Sequence, residues 1–340
     1  MQIVSANLIS SKRVILRYDM DVALGKRKVI EDFKLKAGLK TLDLCLEHAE
    51  SVIMMGHVGR PDGKVVEDLK VAPIVDWFRN QGYLGDLESG KLKILENLRF
   101  DSRESFDWFD NTHHKFVQDK EALEFAKELA SKGDVYINEA FSSYRLASST
   151  TIIPILLPHA AGLHFAEEVR VLGGVRENPK KPFIAIMGGG AAGKDEEKFP
   201  VISLLSKNAD AVLVGGKLVA EIREQNIEVP KNVLVGKLTE DGYDLASETV
   251  DAWENLIKAA KMIVWNGPLG KFEDPKNDST KKVGKIVANS EAESIVGGGD
   301  TVSALNQAGL LDKFSFVSVG GGAMLKLLAD GTLPTIEALK

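Results

Sequence analysis

"PFIAIMGGGAAGKDEEK", residues 182–198, carries a complete strand, turn and helix start in seventeen residues. An apolar segment of strand length, Phe183 to Met187, runs into Gly188, Gly189 and Gly190. Asp195, Glu196 and Glu197 then read as acids in the first turn of a helix, where the macrodipole favours them by about 0.3–1 kcal/mol. Strand, glycine turn and helix together make a βα unit. The glycines fit two phosphate-binding spellings: Gly188, Gly190 and Gly193 give G-x-G-x-x-G, while Gly188, Gly193 and Lys194 give G-x-x-x-x-G-K. Neither is completed. Asp195 stands where a P-loop places Ser or Thr, and the next strand ends "VLVGGK" without the acid that holds a dinucleotide ribose. What remains is Lys194 and Lys198, spaced to share one helix face, and ammonium groups at the amino end of a helix suit phosphate.

The same unit recurs along the chain. Strand candidates in the first half are "RVILRYD", "SVIMMGH", "KILENLRF", "DVYINEAF" and "TIIPILL"; in the second half they are "PFIAIMGGG", "ADAVLVGGK", "MIVWNGP", "ESIVGGGD" and "FSFVSVGGGA". Helical patterns alternate with them, which predicts an α/β protein with parallel sheets flanked by helices. Between the halves, "LHFAEEVRVLGGVRENPKKP" is a helical pattern ending in Gly and Pro signals, expected to join two domains. Ligands of such sheets bind beyond the carboxyl ends of strands. There the first half places ionisable side chains: Asp19, Asp21, His57, Arg60, Arg99 and Arg145. The second half places glycines: Gly188 to Gly190, Gly215 and Gly216, Gly297 to Gly299, and Gly320 to Gly322. One half is suited to hold a small charged molecule by side chains, the other to bring backbone close to a bulkier ligand such as a nucleotide. Two substrates meeting in a cleft is the expectation.

Composition narrows the function classes. The 340 residues suit two domains, and 44% hydrophobic with 27% charged residues is ordinary for a globular protein. A net charge of -6 argues against broad nucleic-acid binding. A single cysteine, Cys45, excludes an internal disulfide framework and fits a reducing, cytoplasmic compartment. No apolar run approaches the roughly 20 residues of a membrane span. His113 and His114 lack further metal ligands at recognisable spacing and read as surface residues.

Taken in order, "GHVGRP", "ENLRF", "INEAFSSYR", "VWNGPLGKFE", "VGGGDTVSALNQAGL" and "SVGGGAMLKLLADGTLP" resemble the phosphoglycerate kinase family, from about Arg13 onward. The resemblance implies two doubly wound parallel-sheet domains with a cleft between them: residues 1–162 binding 3-phosphoglycerate, an interdomain helix over 163–178, and a nucleotide-binding domain over 179–326, with the tail 327–340 packing back on the first. It implies reversible phosphoryl transfer from 1,3-bisphosphoglycerate to magnesium ADP, by a monomer. Matching positions for the glycerate are Asp19, Asp21, Lys34, His57, Arg60, Arg99 and Arg145. For the nucleotide they are Lys194, Lys198, Gly215, Gly216, Asn266, Glu273, Gly298, Gly299, Asp300 and Thr301, with Asp300 the acid near Mg2+. Lys34, Lys194 and Lys198 would meet the transferring phosphoryl group.

Several positions depart from the family pattern. Lys34 stands for an arginine, keeping the charge and losing the bidentate fork. "DFNVP" becomes "DMDVA", so Asp21 replaces an amide. "FSSYRLASS" lacks both usual histidines, with Tyr144 and Ala147 near their places. The loop bearing Lys194 is longer than the family's "GGAK" form, Lys217 replaces a glycine, and the span from Lys217 to Trp265 is short. A divergent working kinase is the first expectation; a non-catalytic nucleotide-binding relative with a regulatory role is the alternative, and a P-loop ATPase a distant third.

Overall fold

A computed structural model describes residues 1–25, 28–105, 119–190 and 198–340. The chain divides into two units, Met1–Val169 with Thr332–Lys340, and Arg170–Gly331.

The first unit is built on a five-stranded parallel sheet: β1 (Arg13–Arg17), β2 (Ser51–Met55), β3 (Leu92–Ile94), β4 (Val135–Asn138) and β5 (His159–Ala161), in the order β3-β2-β1-β4-β5. β1 is central, with Val14 opposite Val52 on one side and Val135 on the other. Val14, Leu16, Val52, Met54, Leu92 and Ile137 are buried between flanking helices, each side chain stabilising the fold by about 1.5–3 kcal/mol. Helix α1 (Phe33–Ala37) runs into α2 (Leu39–His48), which buries Leu42, Cys45 and Leu46 on the face turned to the sheet. Helix α3 (Lys120–Ala130) starts at Asp119, whose carboxylate accepts from the Glu121 amide.

The second unit has a six-stranded parallel sheet: β6 (Phe183–Met187), β7 (Ala211–Val214), β8 (Val233–Val235), β9 (Met262–Asn266), β10 (Glu293–Gly297) and β11 (Phe316–Val317), ordered β8-β7-β6-β9-β10-β11. All five residues of β6 are buried, as are all five of β9, which accounts for the apolar runs Phe183–Met187 and Met262 to Trp265. The helices are α4 (Leu163–Glu177), which carries the division between the units, then α5 (Lys198–Asn208), α6 (Lys217–Glu224), α7 (Ser247–Ala259), α8 (Ser279–Ala288), α9 (Gly299–Gln307) and α10 (Gly321–Asp330). A last short helix, α11 (Pro334–Glu337), belongs to the first unit.

In both sheets the first strand lies inside and the chain winds outward to one edge and then the other, the doubly wound arrangement. Ligands bind such sheets where the winding reverses, between β1 and β4 and between β6 and β9.

The structure corrects some expectations. "TIIPILL" is not a strand: Ser148–Ile152 and Ile153–Leu156 are helical, with Pro154 in the first turn. Proline has no amide to give a ladder but fits the start of a helix. The edge strand is the short β5 that follows. β8, three residues long, and a short antiparallel pairing of Leu24 with Val29 and Gly25 with Lys28 were not anticipated. Residues 327–330, expected with the tail, complete α10 of the second unit.

Candidate active site

At the carboxyl end of the first sheet, β1 and β2 run out into loops that carry Asp19, Asp21 and His57, with the side chain of Arg17 beside them. His57 is buried and its Nδ1 is 2.8 Å from Arg17 Nη2. Burial, then the charges of Arg17, Arg99, Lys34 and Arg60, hold its imidazole well below the usual histidine range. Lys34 comes from α1, Arg60 from the loop after β2 and Arg99 from the loop after β3, each near enough for its charge to act on the ring. Asp21 accepts from the Gly59 amide at 2.9 Å and stands 3.8 Å from His57 Nε2. Arg99 donates to the Gly59 carbonyl at 2.8 Å, so the loops after β2 and β3 are tied together. Asp19 is 3% exposed, and neither carboxylate oxygen has a hydrogen-bond partner; the nearest cation is Lys34 Nζ at 3.8 Å. A buried carboxylate with open acceptor capacity is costly unless a ligand hydroxyl or cation completes it. Lys34 also donates to Ser142 Oγ at 3.3 Å, in the loop after β4. Arg145, exposed in that loop, lies with its guanidinium 5.8 Å from the Tyr144 ring centroid. These strand-end loops and α1 thus offer Lys34, Arg60, Arg99 and Arg145 beside the Arg17-bound neutral imidazole and two carboxylates, a set able to hold a small phosphorylated acid with a free hydroxyl.

Glu139, directly after β4, was missed by sequence reasoning. Its carboxyl accepts from Thr41 Oγ1 at 2.8 Å and from the His164 and Phe165 amides, each at 3.1 Å. Those are first-turn amides of α4, so Glu139 caps the helix that carries the unit boundary. Burial pushes its carboxyl up to about 7, against the pull of these donors.

In the second unit the glycine turns pack backbone on backbone. A Cβ on Gly188 would collide with the carbonyls of Gly267 and Pro268, and one on Gly321 would lie 2.6 Å from Gly298 Cα. The Gly189 amide donates to Pro268 O and the Gly216 amide to Leu269 O at 3.0 Å, joining the ends of β6, β7 and β9. Lys198 is buried at the start of α5, and its ammonium donates to Gly188 O at 2.8 Å, over the switch point of the sheet. Asn266, also buried, donates to Gly321 O at 3.3 Å. Thr301 Oγ1 accepts from the Gly267 amide at 2.8 Å, and Gly215 packs against Leu245 and Leu269, so both are engaged inside the turns. Gly299 and Asp300 are exposed at the start of α9, and Glu273 is exposed in the loop after β9. The structure therefore brings Lys198, Gly215, Gly216, Asn266, Gly298 and Thr301 into one cluster of turns. Lys194, together with Asp195, His113 and His114, lies outside the described residues.

Among the described residues no group of three His, Cys, Asp or Glu is placed to hold a metal. Asp300 contributes one exposed carboxylate. That donor set fits magnesium, which keeps several waters and takes its remaining oxygens from a phosphate ligand rather than from a protein cage. No described helix is long and apolar enough to cross a membrane.

The model of the family described as phosphoglycerate kinase matches residues 4–241 and 220–331. The phosphoglycerate kinase of Roseiflexus castenholzii is 32% identical, covering 97% of this chain and 96% of its own length; that of Roseiflexus sp. is 33% identical with the same coverage. The first of these alignments runs over 398 positions, more than the 340 residues here, so the relative carries segments that this chain lacks. Among solved structures, phosphoglycerate kinase from Coxiella burnetii matches with a TM-score of 0.77 at 26% identity, covering 97% of this chain and 96% of that one. The structure of phosphoglycerate kinase from Pyrococcus horikoshii shares the fold, with a TM-score of 0.81 at 23% identity over 100% and 98% of the two chains.

Proposed function

The chain belongs to the phosphoglycerate kinase family of glycolytic phosphotransferases, and from that premise we propose that it transfers a phosphoryl group reversibly from the carboxyl group of 1,3-bisphosphoglycerate to ADP, giving 3-phosphoglycerate and ATP. The observation that carries this reading is Asp19, buried with no hydrogen bond to either oxygen and 3.8 Å from the Lys34 ammonium, at the same strand ends as a buried His57 that feels the charges of Lys34, Arg60 and Arg99. Cations would take the phosphate and carboxylate of the glycerate, and Asp19 would accept from its hydroxyl.

Phosphoryl transfer asks little covalent chemistry of a protein and depends on placing charge where it develops. In this reading Arg60, Arg99 and Arg145 bind the phosphate that stays on the glycerate, their planar forks matching its oxygens. Lys34 meets the moving phosphoryl as a point charge, where an arginine would offer two parallel bonds. Asp21, in place of an amide, is offset by the cations around His57. On the nucleotide side Lys198 and Lys194 contact phosphates, Gly215, Gly216, Gly298 and Gly299 let the backbone approach, Asn266 fixes the turn, and Glu273 accepts from ribose hydroxyls. Magnesium would be held by Asp300 and would neutralise phosphate charge when bound with the nucleotide. We place the protein in the cytoplasm, where a free cysteine such as buried Cys45 is ordinary, and take it to act as a monomer as the resemblance implies.

A coupled assay with purified protein, 3-phosphoglycerate and magnesium ATP tests the reaction. Turnover is expected, and Lys198→Ala should lower kcat by about 100-fold or more, as for loss of one preorganised donor. Wild-type turnover no higher than that of a Lys194→Ala, Lys198→Ala double variant would remove the proposal.

A further inference from the structure

Arg17 has no part in the roles assigned above, yet it sits inside the cluster, 1% exposed. We propose that Arg17 is a positioning residue that holds His57 in a single neutral form, with Nδ1 bare and the hydrogen on Nε2 turned toward the ligand space beside Asp21, and that Ser149 and Glu104 hold Arg17 for that task. The ligand's identity rests on the reaction proposed above; the tautomer does not.

The assignment follows from what each group can do. A guanidinium has donors and no acceptor, so Arg17 Nη2, 2.8 Å from His57 Nδ1, must donate to it. A neutral ring then carries its hydrogen on Nε2. The nearest carboxylate oxygen, Asp21 Oδ2, is 3.8 Å from Nε2, too far to consume that hydrogen directly. Arg17 also donates through Nη1 to the Tyr18 carbonyl at 2.8 Å and through Nε to Ser149 Oγ at 2.9 Å. The Ser149 hydroxyl accepts from Arg17, so its own hydrogen goes to Glu104 Oε1 at 2.5 Å, and the Ser149 amide donates to Glu104 Oε2 at 3.1 Å. The hydrogen bonds that link Glu104 to His57 thus have a fixed direction, and Ser149 and Glu104 are buried as fully as Arg17. The charged groups that act on the ring are Arg17 and Asp21 from the end of β1, Lys34 from α1, Arg60 from its own loop, and Arg99 from the loop after β3. Among these cations a positive charge on the ring is disfavoured, so the site keeps a directional neutral donor where an ordinary histidine would titrate.

The test uses the full chain labelled with 15N-histidine, the His57 signals being assigned by their loss in His57→Gln. Wild type should show Nε2–H with bare Nδ1 across the range where an unperturbed imidazole titrates, about pH 6–7. Ser149→Ala removes one partner of Arg17; it should admit the other tautomer and raise KM for 3-phosphoglycerate about fivefold, the scale of one hydrogen bond, with kcat and KM for ATP within about twofold. Arg17→Lys, which keeps the charge without the fork, should act in the same direction more strongly. An Nδ1–H ring or an imidazolium at pH 7 in wild type overturns the proposal, as does a Ser149→Ala protein with unchanged ring signals and unchanged KM. The stated tautomer in a protein without turnover would sustain the arrangement and overturn the reaction. A merely structural role for Arg17 would lower melting temperature without moving the ring signals.

Discussion

At the scale of single residues, buried ionisable groups give the first unit a pH response of two opposite signs. Glu139 is held at about 7, above its ordinary 4.5, so its contribution to stability is complete below the unfolded value and is lost as pH rises through 7. The loss should total on the order of 3 kcal/mol, and Glu139→Gln should flatten that limb in denaturant titrations across pH 5–8. A parent and variant with parallel limbs would show that Glu139 is not its source. His57 runs the other way: its depressed pKa gives stability above the unfolded value near 6.5 that is lost as pH falls toward the folded value. Much of this chemistry was legible. Asp19, His57, Arg60 and Arg99 follow apolar runs, and the carboxyl ends of strands are where a doubly wound sheet exposes side chains. Arg17, Glu104, Ser149, Thr41 and Glu139 were not, because their partners are remote in sequence: Arg17 meets Ser149 across 132 positions and Thr41 meets Glu139 across 98. The one available signal was an arginine inside the apolar run "RVILRYD", a residue that cannot be buried there unpaired.

At the scale of elements, the strand ends of the second sheet are fixed by contact between main chains. Gly267 has φ 95° and its absent Cβ points at the Gly188 carbonyl. Gly267→Ala should therefore cost about 1–3 kcal/mol for the strained φ and more for the collision, and should weaken ADP binding in calorimetry, whereas an alanine at Gly299, which has open space, should leave stability within about 0.5–1 kcal/mol. In the first unit a Cβ on Gly162 would overlap Glu139 Oε2, so Gly162→Ala should displace the cap of α4 and cost about 1–2 kcal/mol in thermal unfolding. The glycine signal was readable as close backbone approach, although which turns touch was not, since pairing between β6 and β9 spans a long stretch of chain. "TIIPILL" misled because an apolar run of that length suits either element, and its proline should have weighed toward a helix start. The family match in two pieces overlapping at 220–241 falls where the chain looked short between Lys217 and Trp265; α6, β8 and α7 are what occupies that interval.

At the scale of the whole molecule, the chain passes between its units at Val169/Arg170 and again at Gly331/Thr332. On the second unit's side the two passages are joined: Arg176 donates to the carbonyls of Leu328 and Ala329, at 2.8 and 2.7 Å, at the end of α10. The first unit, in turn, is closed by residues from the far end of the sequence. Leu333, Thr335 and Leu339 are almost wholly buried, and α11 packs on Ser148–Ile152. Leu333→Ala should cost about 2–5 kcal/mol and loosen amide protection in β4 and Ser148–Ile152, leaving β6 to β10 protected. Equal loosening in both units would contradict the division. Ser148–Ile152 is the segment that supplies Ser149, the support of Arg17 and so of His57. On a ribosome the second unit emerges entire while the first still waits for residues 332–340. The segment that supports Arg17 therefore gains its last packing partner only when the end of the chain reaches the first unit.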